Sequence, residues 1–84
     1  MKISELAKKS EDKENMIRFL KAMRNDLIEN PTSWTNVSLE DFLEAMTGWL
    51  EDSDGYYENR GEKPPNIQDW RFFAELLSAA RVYE

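Results

Sequence analysis

A chain of 84 residues with neither cysteine nor histidine has room for one small core. It lacks the side chains that build disulfides, thiolate nucleophiles, zinc–thiolate sites and the usual neutral-pH general base. The net charge of −6 is uneven, with six acids against seven bases up to Asn36 and eleven acids against four bases from Val37 onward. An acidic second half argues against a nucleic-acid partner, whose footprint is a basic stripe, and fits a basic protein partner or merely a solvated exterior.

The first residues, MKISELAKKSEDKE, have no apolar stretch of the signal-peptide kind, and no run approaches the roughly 20 apolar residues of a membrane span. The expectation is a cytoplasmic, soluble protein with no membrane partner. Ile3, Leu6 and Ala7 lie at helical spacing with Ser4 as a cap, predicting a short N-terminal helix or ordered arm. Met16, Leu20, Met23 and Leu27 then recur at i, i+4, i+7 and i+11, widened by Ile17, Phe19 and Ile28. They predict a helix over about 13–29, capped by Asp12 or Ser10 and stopped by Pro31.

Residues 31–36 read as a connection in which Trp34 plugs a seam between helices. Ser38 followed by Asp41 resembles a capping box. The helix it opens carries Leu39, Phe42, Leu43, Met46, Trp49 and Leu50 on one face, with Tyr56 and Tyr57 one heptad after Trp49 and Leu50. It is predicted over about 39–58, although Asp54-Gly55 is also a stop signal and the end stays open. Gly61 and Pro64-Pro65 mark a loop. Asn66 as cap and Asp69 at the third helical position predict a last helix over about 67–83, with Trp70, Phe73, Ala74 and Leu77 on one line and Phe72, Leu76, Ala80 and Tyr83 beside it. A helix so apolar around its girth should be the most buried element, sandwiched between the other two. No alternating strand pattern or repeat is visible, so the fold class is all-α. It is a single domain over 1–84, a bundle of three main helices plus the short N-terminal element.

The segment WTNVSLEDFLEAMTGWLEDSDGYYENRG, with WRFFAELLSAARVYE at the end, resembles a family of small bacterial proteins forming a domain of unknown function. The resemblance covers about 12–84 and rests on the patterns Trp-x-Asn, Leu-x-x-Phe-Leu-x-Ala, Trp-Leu-x-Asp, Gly-Tyr-Tyr-x-Asn and Ala-Arg-x-Tyr-Glu. It implies a helical bacterial cytoplasmic protein and brings no catalytic residue. By size and context it further suggests one of the acidic immunity partners of secreted toxins. The motifs map onto Trp34, Asn36, Trp49, Asp52, Tyr56, Tyr57 and Asn59.

Chemistry is sparse. Glu51, Asp52, Asp54 and Glu58 are the one cluster that suggests a metal, but an EF-hand loop from Asp52 would need an oxygen ligand and then glycine where Tyr56 and Tyr57 stand. A solvated acidic face is the better reading. Carboxylate pairs such as Glu40 and Glu44 could do acid–base work only across a cleft that so small a bundle scarcely has. The chain is therefore expected to be no enzyme and to need no cofactor or metal. Trp34 and Asn36 suit a structural role, with Asn36 satisfying loop groups beneath the ring, or else the floor of a peptide groove. Trp49 suits the core. Tyr56 and Tyr57 point about 100° apart on a helix, so one can pack inward while the other stays available. The leading expectation is a protein-binding module that uses Trp34, Asn36, Trp49, Asp52, Asp54, Tyr56, Tyr57 and Asn59 against a basic partner. The alternatives are a homodimer or assembly subunit joined through the last helix, and a weak metal or small-molecule sensor.

Overall fold

The computed structural model describes residues 2–63 and 69–84. Its elements are α1 (Ile3–Lys8), α2 (Lys13–Glu29), a 3-10 turn (Pro31–Ser33), α3 (Leu39–Asn59) and α4 (Trp70–Ala80). No strand occurs among the described residues. The Cα radius of gyration of 12.3 Å is that of a compact globule of this length.

α4 is the axis of the molecule. α1, α2 and α3 each pack against it and α1 also packs on α2, whereas the backbones of α2 and α3 do not come into contact and Phe42 of α3 joins the α2 cluster beside Trp34. The expected central position of the last helix is thus observed, and the N-terminal element is a structural helix. The core divides on either side of α4. One cluster gathers Ile3, Ala7, Met16, Phe19, Met23, Trp34 and Ala74; the other gathers Trp49, Tyr57, Phe72 and Leu76.

Caps explain most helix ends. Asp12 accepts a 2.8 Å hydrogen bond from the Asn15 amide and opens α2. Ser38 Oγ accepts from the Asp41 amide at 3.1 Å and opens α3, the first half of the expected capping box. α1 starts instead from Lys2, without a side-chain cap, and Ser4 lies inside the helix. α3 passes through Gly55 to Asn59, so Asp54-Gly55 is not its stop. The stop is Gly61, at φ +67°. The Gly61 amide donates to the Glu58 carbonyl at 3.0 Å and the Glu62 amide to the Tyr57 carbonyl at 3.0 Å, the paired bonds of a Schellman ending.

Three expectations about faces are corrected. On α2 the buried line is Met16, Phe19 and Met23, while Leu20 is exposed and Leu27 only half-buried. On α3 the buried line is Ala45, Trp49, Ser53 and Tyr57, and Leu39, Leu43 and Leu50 are exposed, Leu39 at 72%. Small Ala45 and Ser53 let α3 approach its neighbours, and hydropathy alone ranks them below the leucines that stay outside. On α4, Asp69 is extended at ψ 143°, so the described helix begins at Trp70 and Asp69 is its N-cap, not its third residue. The helix ends at Ala80, short of Tyr83. The proposed Asn66 cap and the start at Ile67 lie outside the described residues. Trp70 and Phe73 are exposed, and Glu75 and Ser78 are buried in their stead.

Candidate functional site

The eight residues expected to meet a partner divide into structural and surface groups. Trp34 is buried between α2, α3 and the end of α4. Its ring stacks on Phe42 with centroids 6.0 Å apart, its Nε1–H donates to Asp26 at 2.8 Å, and the Arg81 guanidinium lies 5.8 Å from its centroid. Arg81 also approaches Asp26 at 3.6 Å. Burial lowers the Arg81 pKa, and Asp26 offsets part of that.

Asn36 is a latch. Its Nδ2 donates to the carbonyls of Ala80 at 2.9 Å and Tyr83 at 2.8 Å. The amides of Thr35 and Asn36 both donate to the Arg81 carbonyl at 2.9 Å. Carbonyls at a helix C-terminus have no partner within the helix, and here a distant loop supplies the donors. Asn36 therefore serves the end of α4, not the turn into α3. Trp34 and Asn36 thereby join the chain's final Ala-Arg-Val-Tyr-Glu to the α2–α3 connection.

Trp49 and Tyr57 lie in the second core cluster, 4% and 1% exposed. Trp49 meets Tyr56, Tyr57 and Phe72 at centroid distances of 5.4, 6.1 and 6.2 Å. The Tyr57 hydroxyl donates to Glu75 Oε1 at 2.8 Å, and Arg71 Nε donates to Glu75 Oε2 at 3.0 Å. Burial first, and the hydrogen bond and charge of Glu75 next, push the Tyr57 hydroxyl far above its ordinary range. Burial alone would lower the Arg71 pKa, but the hydrogen bond and charge of Glu75 reverse this and leave it raised. A buried carboxylate is tolerated only with such partners. Among the described residues, no buried side-chain polar atom lacks a hydrogen bond.

The remaining four lie on the second half of α3, with Asp52, Asp54 and Asn59 exposed and Tyr56 at the margin of the core cluster. Tyr56 is half-buried and does not point outward: its ring packs on Trp49 and Tyr57 with centroids 5.4 and 4.9 Å away, and Arg60 lies 5.2 Å from its centroid. Asp52 is exposed and accepts a hydrogen bond from the Tyr83 hydroxyl, which raises the Tyr83 pKa. Asp54 and Asn59 face solvent. The structural partners Asp26, Arg71, Glu75, Arg81 and Tyr83 were not among the expected site residues. The four-residue spacing of Arg71 and Glu75 was a readable signal; the pairing of Asp26 with Arg81 across most of the chain was not.

The outer surface of α3 is acidic. The helix carries seven carboxylates, Glu40, Asp41, Glu44, Glu51, Asp52, Asp54 and Glu58, and no basic residue; all seven are exposed. The ion pairs among the described residues are Arg60–Glu62, Arg71–Glu75 and Arg81–Asp26, and none draws on α3. No three carboxylates among the described residues come close enough to hold a metal. No described helix is long and apolar enough to cross a membrane.

Fold and surface together define a small all-α domain with a tied-down aromatic interior and an acidic outer helix. A family model matches residues 12–84, and the chain belongs to that family, DUF7660, a family of unknown function. The match begins at the Asp12 cap of α2, so α1, whose Ile3 and Ala7 are in the core, lies outside it. No curated protein and no solved structure matches the chain.

Proposed function

We propose that this chain is a non-enzymatic, cytoplasmic protein-binding module of a bacterial cell that holds a basic polypeptide against the outer face of α3. The observation that carries the reading is the seven exposed carboxylates of α3 with no base on the helix. Such a field draws a cationic partner in by long-range attraction and weakens with salt. Trp34, Trp49 and Tyr57 are occupied in the interior and Tyr56 packs against Trp49 and Tyr57, so the contact falls to the carboxylates and the exposed apolar residues beside them. A basic toxin held by its immunity protein is the most concrete pair of this kind.

The experiment is capture from native cells at low and high salt, comparing the wild-type chain with Glu44→Lys/Glu51→Lys/Glu58→Lys, followed by mass spectrometry. A stoichiometric basic polypeptide released by salt and lost with the lysine variant supports the proposal. A partner retained equally by both proteins, or one that is itself acidic, contradicts it.

A further inference from the structure

α4 is enclosed on three sides and open on the fourth. Phe72 and Leu76 meet the α3 cluster, Ala74 and Leu77 meet the α2 cluster, and α1 also packs on the helix. In helical phase Phe73 falls between Leu76 and Leu77, which points it at the gap between α3 and α2. The backbones of those two helices do not come into contact, so beside Phe73 they leave a groove, a channel floored by α4 and bounded at one end where Trp34 stacks on Phe42. Its walls are apolar. Leu20 stands beside the buried line of α2, and Leu39, Leu43 and Leu50 recur along one edge of α3. These four leucines and Phe73 are each at least 42% exposed. At one end the channel deepens into a depression of about 340 Å³ where Met23, Leu27, Trp34, Val37, Leu39 and Phe42 converge. Single exposed leucines need no explanation, but apolar side chains in register on three helices form a contiguous surface of the kind that marks an interaction site.

Charge says what covers it. Continuing round α3 from the leucine edge, the acids in helical phase are Asp54, then Glu40 and Glu58, then Glu51 and Glu44, with no base on the helix. The opposite rim, on α2, carries exposed Lys21 and Arg24. We propose that the channel docks one amphipathic helix of a partner protein. Its apolar line lies on Phe73 and the α3 leucines, with a lysine- or arginine-rich flank against the α3 carboxylates and any acidic flank toward Lys21 and Arg24. This is recognition of a helix in a groove. It rests on the protein-binding reading above for the sign of the partner's charge and adds the partner's shape and its seat.

The probe is a fluorescein-labelled synthetic peptide of about 18 residues, five helical turns, with leucine on one face, lysine on one flank and glutamate on the other. A peptide of identical composition in scrambled order is the control, and anisotropy is read with the whole chain. The wild-type protein is expected to bind the amphipathic peptide about tenfold or more tighter than the scrambled one. Leu43→Asp and Phe73→Asp are each expected to weaken it by about tenfold, with circular dichroism and melting curves unchanged because both side chains are exposed. Equal binding of the scrambled peptide, or both variants binding as wild type, overturns the proposal. So does a light-scattering mass of twice 9.9 kDa that Leu43→Asp returns to the monomer, since the occupant is then a second copy. If the α3 lysine variant loses the captured basic polypeptide while Leu43→Asp and Phe73→Asp keep it, the channel proposal falls and the acidic-face reading stands. If none of these variants loses it, both fall.

Discussion

The inner face of α3, with Ala45, Trp49, Ser53 and Tyr57, and its outer face, with seven carboxylates and three leucines, differ in how their polar groups are partnered. On the inner face the Tyr57 hydroxyl has Glu75, Glu75 has Arg71 as well, and Trp49 is enclosed by three rings. On the outer face the seven carboxylates have no base on their own helix, and three leucines face solvent. Polar-tipped aromatics with satisfied partners are structural; charge and apolar area without partners are what a second molecule can use. Stability lies with the inner face, and the proposed recognition lies with the outer one, so each half can be broken separately.

The largest effect is expected from Trp49→Ala, which empties the junction of Tyr56, Tyr57 and Phe72. A loss of about 3–5 kcal/mol is usual for such a truncation, comparable with the roughly 3–5 kcal/mol that a domain of this size holds. Urea titration at 25 °C should find this variant largely unfolded; a folded variant with a near-native midpoint would mean that the inner face does not carry the fold. Next comes Tyr57→Phe, which leaves one Glu75 oxygen without its donor and should cost about 1–3 kcal/mol.

The same hydroxyl sets a pH dependence. Its pKa is raised above the ordinary tyrosine value of about 10, by burial first and then by Glu75. The folded state therefore holds this proton more tightly than the unfolded chain does. The stabilisation is fully present below about pH 10 and is lost as pH rises toward the folded value. Denaturant midpoints between pH 8 and 11 should fall at the alkaline end, and less steeply in Tyr57→Phe.

A smaller pair of opposite effects tests how α3 ends. Gly61→Ala places a Cβ at φ +67° and should destabilise by about 1 kcal/mol. Gly55→Ala adds a methyl that meets nothing within 4 Å in mid-helix and should stabilise by up to about 1 kcal/mol. Equal signs for the two substitutions would put the end of the helix elsewhere.

Much of this architecture was legible in the sequence because local rules governed it. Asp12 and Ser38 cap where they were expected to, Pro31 closes α2 and heptad phase carries α3 across Gly55. The tilt of the faces was harder to read. Leucine outranks alanine and serine in any hydropathy pattern, yet Ala45 and Ser53 are buried because close helix approach requires small side chains, and Leu39 and Leu43 are left at the rim of the channel. Glu75 was hidden for the complementary reason, since nothing local says that a carboxylate on α4 will meet a tyrosine on α3. The expected binding aromatics were chosen for their polar tips, and those tips are the atoms that Asp26 and Glu75 engage. The acidic character of the second half was plain from the sequence. The predicted helix over about 39–58 already held seven of its carboxylates and no base, and the open question was whether Glu58, beyond Gly55, shared the helix with the other six.

The most direct test of the division between the faces is amide NMR of the protein titrated with the lysine-flanked amphipathic peptide. The account predicts shifts concentrated at Leu39, Leu43, Glu44, Leu50, Glu51 and Phe73, diminishing with salt, while the signals of Tyr57, Glu75 and Asn36 hold still. Shifts centred on Tyr57, Glu75 and Asn36, or none at Leu43 and Phe73 at saturating peptide, would contradict it.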